Sequence, residues 1–384
     1  MEGNAGVPRS VSQVHSGPIT SQPSVVAPLD PKQWAVQKQC DTAAAYWVYQ
    51  WGCIQLTILR ERGNDELAEA KRRILRRHQR AHFLEGLEKL GIRRDLPPAV
   101  IAGRYHYLSN ALGSLKMEYI EESPKKVWIR YRAPSYSFTG IGLAAVRSKV
   151  QRWMFSGWHP FNGESLGCPQ LGFVVTKVFQ DGEPYDEGYF FEHDRPLHPD
   201  ERIQYRPVTM SPDFDPEKAP KLDPKVWPDE RRWRANRNFA RGYIEDTIRC
   251  CLELYGVHET AAYLASAHRI FAVQFFDMYR EMFNIQGSSA VDLARYMANV
   301  CGISNEQVDV SQKHPGSYVL TRINRMMAAD DVPQEIYQAL GECFKTSAKM
   351  MSARVRVSLE SIVPQPGRGA LETWIIEDTK DRLF

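Results

Sequence analysis

The sequence predicts an α+β protein made of two tandem repeats of one unit, helices, strand, helix and β-hairpin, packed as a pseudo-twofold pair. Three observations predict it. Apolar residues recur at helical spacing over 43–91 and again over 238–302, and each stretch then gives way to a β-rich run, KKVWIRYRA (125–133) and SYVLTRINR (317–325). Each run precedes a further helical stretch and then a hairpin pattern. The two hairpins also share residues: at an offset of 185, Val178, Gln180, Gly182, Glu187 and Glu192 coincide with Val363, Gln365, Gly367, Glu372 and Glu377, and Tyr189 faces Trp374.

The elements follow in order. AAAYWVYQWGCIQLTILRERG (43–63) and NDELAEAKRRILRRHQRAHFLEGLEKLG (64–91) read as two helices, the second with an acidic first turn and a closing Gly91. PPAVIAGRYHYLSNALG (97–113) is a third helix, and 140–158 a fourth after the strand. LGFVVTKVF and YFFEHD flank a QDGEPYDEG turn region as a hairpin. Prolines punctuate 195–238 too often for a helix or central strand, so this is a connector, with Tyr205, Phe214, Trp227 and Trp233 as anchors that give it order. The same order then restarts with helices at 238–256, 258–283 and 289–302, a strand, a helix at 332–351 and a final hairpin. At an offset of 191, Arg104-Tyr105 meets Arg295-Tyr296 and Pro124 meets Pro315; Cys53 meets Cys250 at 197. The expected organisation is a disordered arm (1–32), a first repeat (33–194), the connector (195–238) and a second repeat (239–384), the repeats packing as the covalent analogue of an isologous dimer.

Forty-nine basic side chains against 46 acidic ones leave a charge of +3, too little to imply a polyanion partner. The basic run KRRILRRHQR (71–80) shares its helix with Glu66, Glu69, Glu85 and Glu88 and reads as an ion-paired face, so nucleic acid is not an expected partner. No apolar stretch reaches the ~18 residues that span a bilayer, and the expectation is a cytoplasmic protein without membrane association. Seven cysteines without a CxxC pair read as reduced thiols. There is no HExxH, HxH, GxGxxG, Walker or GxSxG pattern, so no metal and no cofactor is expected.

Two clusters carry candidate chemistry. FFEHDRPLH (190–198) holds Glu192, His193, Asp194 and His198, with His193 the group that titrates near neutrality; strand alternation keeps these from converging unless the chain bends near Pro196. GWHPFNGESLGCP (157–169) has the composition of a binding loop around Trp158, His159, Asn162, Glu164 and Cys168, where a cysteine and a histidine form a nucleophilic pair if they meet. The second repeat lacks this loop. Residues present in one copy are free to specialise, which selects His106, His159, Cys168 and His193 as catalytic candidates and Trp158, Glu164, Tyr105 and Arg130 as substrate contacts; Glu192 and Glu377, common to both, read as architectural.

KVWIRYRAPSYSFTGIGLAAVRSKVQRW (126–153) and Gly167-Cys168-Pro169 before the hairpin resemble the small-molecule-binding units of the 4-vinyl-reductase domain family, and the chain also looks like the L-2-amino-thiazoline-4-carboxylate hydrolase group. The resemblance covers 126–194 and, more weakly, 317–379. It implies a pocket for a small, often cyclic organic molecule. The cysteine cluster that some members use for metal is absent, since Cys168 has no cysteine near it. The functional expectation is a cofactor-independent hydrolase or lyase acting on a small cyclic or aromatic carboxylate through histidine and acid groups. The alternative is a non-catalytic small-molecule-binding or sensory module whose basic helix touches a partner or nucleic acid. A homo-oligomer is left open by the sequence.

Overall fold

The computed structural model describes Val26, Leu29 and residues 34–132, 146–208, 210–327, 332–365 and 367–384. The first half comprises α1 (Val36–Lys89), α2 (Pro98–Leu112), β1 (Met117–Ser123), β2 (Lys126–Arg132), α3 (Ser148–Trp158), α4 (Phe161–Ser165), β3 (Leu171–Lys177), β4 (Tyr185–Glu192) and the short β5 (Ile203–Tyr205). The second comprises α5 (Asp229–Met282), α6 (Ala290–Ile303), β6 (Val308–His314), β7 (Ser317–Asn324), α7 (Gln334–Leu340), α8 (Glu342–Met351), β8 (Val355–Gln365) and β9 (Gly369–Asp378). The protein is α+β with two sheets, ordered β1-β2-β4-β3-β5 and β6-β7-β9-β8.

Both long helices fold back on themselves. Gly63 sits at φ 82°, ψ −177° and Gly256 at φ 74°, ψ 180°, a mirror-extended conformation open only to glycine. Lys71 Nζ donates to Gln55 Oε1 at 2.7 Å, although 16 residues of straight helix would separate them by ~24 Å. In α5, Tyr243 stacks on Trp51 at 4.9 Å while Phe275 stacks on Tyr49 at 4.5 Å, two residues away on α1. Four helical arms, 36–62, 64–89, 229–255 and 257–282, therefore form a central bundle. Its core is aromatic: Tyr46 contacts Phe271 and Tyr279, and Trp51 Nε1 donates to Thr247 Oγ1 at 2.8 Å. Burying side chains of this size supplies ~1.5–3 kcal/mol each, which makes the pairing of α1 with α5 the main tie between the halves.

Several expectations need correction. The polar edge strands β1 (MEYIEES) and β6 (VDVSQKH) were absent from the sequence reading, because only one face of each packs inward. The connector ends at Pro228: the segment after it contains no proline, opens with Asp229 and Glu230 at its N-terminus and is helical from there, ten residues before the expected boundary. The connector is structured, adding β5 in parallel to β3 and anchoring Trp227, whose Nε1 donates to Lys89 O at 3.0 Å. The supposed loop 157–169 is mostly the end of α3 and the short α4. Of the expected arm, Val26 is buried in the bundle core and Leu29 N donates to Asn299 Oδ1 at 3.2 Å. Residues 140–145 of the expected fourth helix lie outside the described residues.

The match at offset 185 slips by one residue. Leu171↔Glu192 opens the first hairpin and Val355↔Asp378 the second, so Glu192 corresponds in register to Asp378 rather than Glu377. Phe190 packs on His106 of α2, which puts Asp186 and Phe190 on the helix-facing side of β4 and Glu187 on the other. Trp374 packs on Phe344 of α8, which puts Glu372 on the helix-facing side of β9. Glu187 and Glu372, identical in the alignment, thus point to opposite faces.

Candidate functional site

The site grows from three close approaches. Gly103 lets α2 press on β2, where a Cβ would stand 2.4 Å from Val127 Cγ1; three residues on, His106 reaches the sheet face shared by Val127, Ile129 and Tyr131. Gly157 lets α3 press on α1, where a Cβ would stand 2.5 Å from Arg72 O, and Trp158 and His159 follow. Gly163 is packed against Cys168 O and Leu171 O, which fixes α4 and its fully buried Asn162.

These elements bring His106, Tyr131, His159 and Asn162 into one chain of hydrogen bonds. His159 Nδ1 faces the Phe155 carbonyl at 3.3 Å, an acceptor only, so Nδ1 carries the proton. His159 Nε2 then accepts from the Tyr131 hydroxyl at 2.9 Å, the Tyr131 oxygen accepts from His106 Nδ1–H at 3.1 Å, and His106 Nε2 accepts from Asn162 Nδ2 at 2.9 Å. The reverse orientation of the Asn162 amide would leave both imidazole nitrogens facing Tyr131 without a proton, so the network runs one way. The two imidazoles stack at 4.3 Å and 11°, with Phe190 against both and Phe173 4.2 Å from His159. Burial, and for His106 the neighbouring His159, pushes the His106 pKa well below the usual imidazole range; burial brings His159 down to about 3. Burial raises the Tyr131 hydroxyl well above its ordinary value. All three groups are neutral near pH 7.

They line a cavity of about 80 Å³ with Tyr105, Gln151, Trp158, Phe155 and Tyr243 among its walls. At ~10–15 Å³ per water-sized probe position, this accommodates on the order of six heavy atoms. Two buried polar atoms of its lining, Gln151 Oε1 and Trp158 Nε1, have no hydrogen-bond partner among the described residues. An unmatched acceptor and an unmatched donor in one cavity are the complement of a ligand that carries both. Behind Gln151, its Nε2 donates to Asp186 Oδ2 at 2.6 Å, and Asp186, raised to about 6 chiefly by burial, also accepts from Phe179 N. Lys71, 1% exposed and electrostatically linked to Asp186, is held well below the usual lysine range by burial.

Of the residues singled out in the sequence, His106, His159, Trp158 and Tyr105 converge here. The others do not line this cavity. Cys168 is 8% exposed beside Gln170, and burial raises its thiol pKa, which opposes a thiolate nucleophile. His193 lies beyond β4 with its ring against Phe191; desolvation and then Arg195 lower its pKa. Glu164 sits at the surface between Arg76 and Arg202. Arg130 lies on the opposite sheet face, its guanidinium committed to Glu187, Glu118, Ser211 and the Pro212 carbonyl. Tyr131, Gln151, Asp186 and Lys71 were missed, and Asn162 was named in the 157–169 loop without being selected as a site residue. The one available signal was a lysine and an aspartate at core-facing positions of a helix and a strand, which pattern alone does not distinguish from surface charge.

A second, smaller cavity of about 30 Å³ in the other half is lined by Tyr46, Gln50, His268, Glu306, Arg322 and Cys343 among others. Arg322 Nε donates to Glu372 at 2.8 Å and its Nη1 to Glu306 at 3.2 Å, closing that cavity with a buried ion cluster. Most of the basic run of α1 is ion-paired within the chain: Arg72 and Arg73 bond Glu69, Arg76 bonds Glu164 and Arg77 bonds Glu253. No helix among the described residues is long and apolar enough to cross a membrane. No protein-family model, curated protein or solved structure matches this chain.

Proposed function

We propose that the chain is a small-molecule enzyme of the hydrolase or lyase type, with the cavity of the first half as its active site and Tyr131 as the group that exchanges a proton with substrate. The one-way hydrogen-bond chain through His106, Tyr131 and His159 carries this reading. As the Tyr131 oxygen takes a proton from the substrate, its own hydroxyl proton passes to His159 Nε2, leaving a neutral tyrosine, an imidazolium and a substrate anion. Protonation of the leaving group reverses the transfer. An imidazole held near 3 is a poor base in the resting protein. Negative charge developing beside it raises its basicity, so the network favours the charged stage of the reaction over the ground state. Among the described residues, the side chains lining the cavity include no lysine or arginine. A bare carboxylate there would be buried without a counter-charge. The reading therefore takes a small ring that is neutral where it contacts Gln151 and Trp158, in keeping with the small cyclic molecule that the resemblance to the 4-vinyl-reductase group implies.

A tandem duplication with pseudo-twofold packing is part of the same proposal. Its support is an exchange of contacts on adding 193 to numbers of the first half and subtracting it from those of the second: Tyr46–Phe271 at 4.8 Å becomes Phe239–His78 at 5.9 Å, as an isologous interface requires. The two cavities exchange likewise. Leu75, Phe239 and Tyr243 of the first answer to His268, Tyr46 and Gln50 of the second, and by strand register Tyr131 answers to Arg322. On this reading one copy keeps an open cavity, and in the other an arginine takes the place of the tyrosine and closes it.

The test is turnover, followed by NMR, of a panel of small cyclic amides, thiazolines and unsaturated ring compounds in paired neutral and carboxylate forms. Tyr131→Phe is expected to lower the rate by ~100–10,000-fold with the fold intact. Equal turnover by wild type and Tyr131→Phe sinks the acid–base role. Binding of a ring without turnover assigns the cavity to a ligand-binding module instead.

A further inference from the structure

A wider cavity of about 430 Å³ adjoins the first and shares Tyr105, Ser109 and Phe239 with it. His78, His82 and Asp246 stand on its wall. His78 and His82 are four residues apart on the second arm of α1 and so project from one helix face; Asp246 reaches them from the first arm of α5. One donor atom from each of the three lies within 4.8 Å of the others. His78 Nδ1 and Asp246 Oδ2 are 2.7 Å apart, and the imidazole rings are 4.3 Å apart.

We propose that His78, His82 and Asp246 bind one divalent transition-metal ion of the Zn²⁺ or Fe²⁺ class, its remaining coordination positions facing the 430 Å³ cavity. Two imidazoles and one carboxylate are the donor set that such ions take in sites keeping a position open to solvent or substrate. Donors ~2.1 Å from an ion lie up to ~4.2 Å apart, so closing the present spacing asks only for small side-chain rotations. Arg77 approaches Asp246 Oδ1 at 3.8 Å but donates to Glu253 at 2.6 Å, which partly neutralises it. Glu85 and Glu245 add carboxylates to the same cavity wall, paired with Lys89 and Arg241.

His78 also packs in the bundle, its ring stacked on Tyr243 at 4.5 Å, whereas His82 is exposed and Asp246 half-buried. His78 and His82 lie 15 and 19 residues after Gly63, and Asp246 lies 10 before Gly256. The same positions counted from the other glycine hold Phe271, Phe275 and Cys53, all buried and apolar. One setting of the turn thus packs as core, and the other presents three ligands to a cavity. The ion site stands apart from the Tyr131 chemistry, and either holds without the other.

Co²⁺ titration of the full chain, with Zn²⁺ as competitor, tests it. Wild type is expected to take up one equivalent of Co²⁺ with visible d–d absorption that Zn²⁺ abolishes. His82→Ala removes a solvent-exposed ligand and Asp246→Ala a second; each is expected to weaken binding by at least the ~10–100-fold that even outer-shell partners are worth. Circular dichroism confirms the fold of both, and His258→Ala, an exposed histidine elsewhere, leaves affinity unchanged. No saturable binding by wild type, or equal affinity in wild type and His82→Ala, overturns the proposal.

Discussion

Mild acid is expected to destabilise this protein through its buried histidines. An imidazole whose folded pKa lies below its unfolded value is protonated first in the unfolded chain. Its neutral burial is therefore free of penalty above ~6.5, and stability falls as pH drops from there towards the folded value. His159, held at about 3, and His268, held at about 4, behave in this way, and His106 is shifted in the same direction. Each costs ~1.4 kcal/mol per pH unit, so His159 and His268 together cost ~4 kcal/mol between pH 6.5 and 5, and His106 adds to that loss. Asp186 acts in the opposite sense. With its pKa raised to about 6, the folded state binds that proton more readily and regains ~1.4 kcal/mol by pH 5, and Glu306 and Glu245, both raised by burial, add in the same direction. A net loss of ~3 kcal/mol remains, a large part of the 5–15 kcal/mol that holds ordinary domains folded. Urea denaturation at pH 6.5, 5.75 and 5 measures it. The clean control is His268→Gln, which keeps a donor for the Leu264 carbonyl that His268 Nδ1 now reaches at 2.7 Å and deletes one titrating group. Its stability is expected to fall by ~2 kcal/mol less than that of wild type over the same interval. A stability that is flat or rising towards pH 5, or a pH dependence unchanged by His268→Gln, refutes the reasoning.

Two further outcomes are expected. Gly63→Ala and Gly256→Ala each cost ~1–3 kcal/mol by chemical denaturation, because their φ of 82° and 74° strains any Cβ-bearing residue although no atom lies within 4 Å of the added carbon; a neutral result for both contradicts the hairpin-turn assignment. Arg322→Met strands Glu372 and Glu306 in the core and costs ~3–5 kcal/mol, whereas Arg356→Met, which breaks the exposed pair with Glu377, costs under ~1 kcal/mol; equal costs would mean that burial is not what makes the first pair matter.

The helices, both hairpins and the matched order of the halves were legible in the sequence because each is a local pattern: a 3.6-residue period over 43–91, a two-residue period around glycine turns, prolines through 195–228. His106 and His159 were legible too, as polar residues that one half has and the other lacks. Tertiary structure decided the rest. Identities at offset 185 could not reveal that Glu187 and Glu372 face opposite ways, because a strand reverses its faces with every residue and only hydrogen-bond register fixes which face is which. Polar edge strands such as MEYIEES bury one face and carry little apolar signal. HQRAH (78–82) has the i, i+4 spacing of a ligand pair, but its third member arrives from residue 246, on a helix arm whose place is set by the fold-back at Gly256. Tyr131, Asn162 and Gln151 join His106 and His159 only because Gly103, Gly157 and Gly163 allow helix to meet sheet, helix and loop at backbone distance. Local periodicity is written into the chain residue by residue, whereas a site assembled across 25 to 168 positions exists only once the cores that hold those positions together have formed.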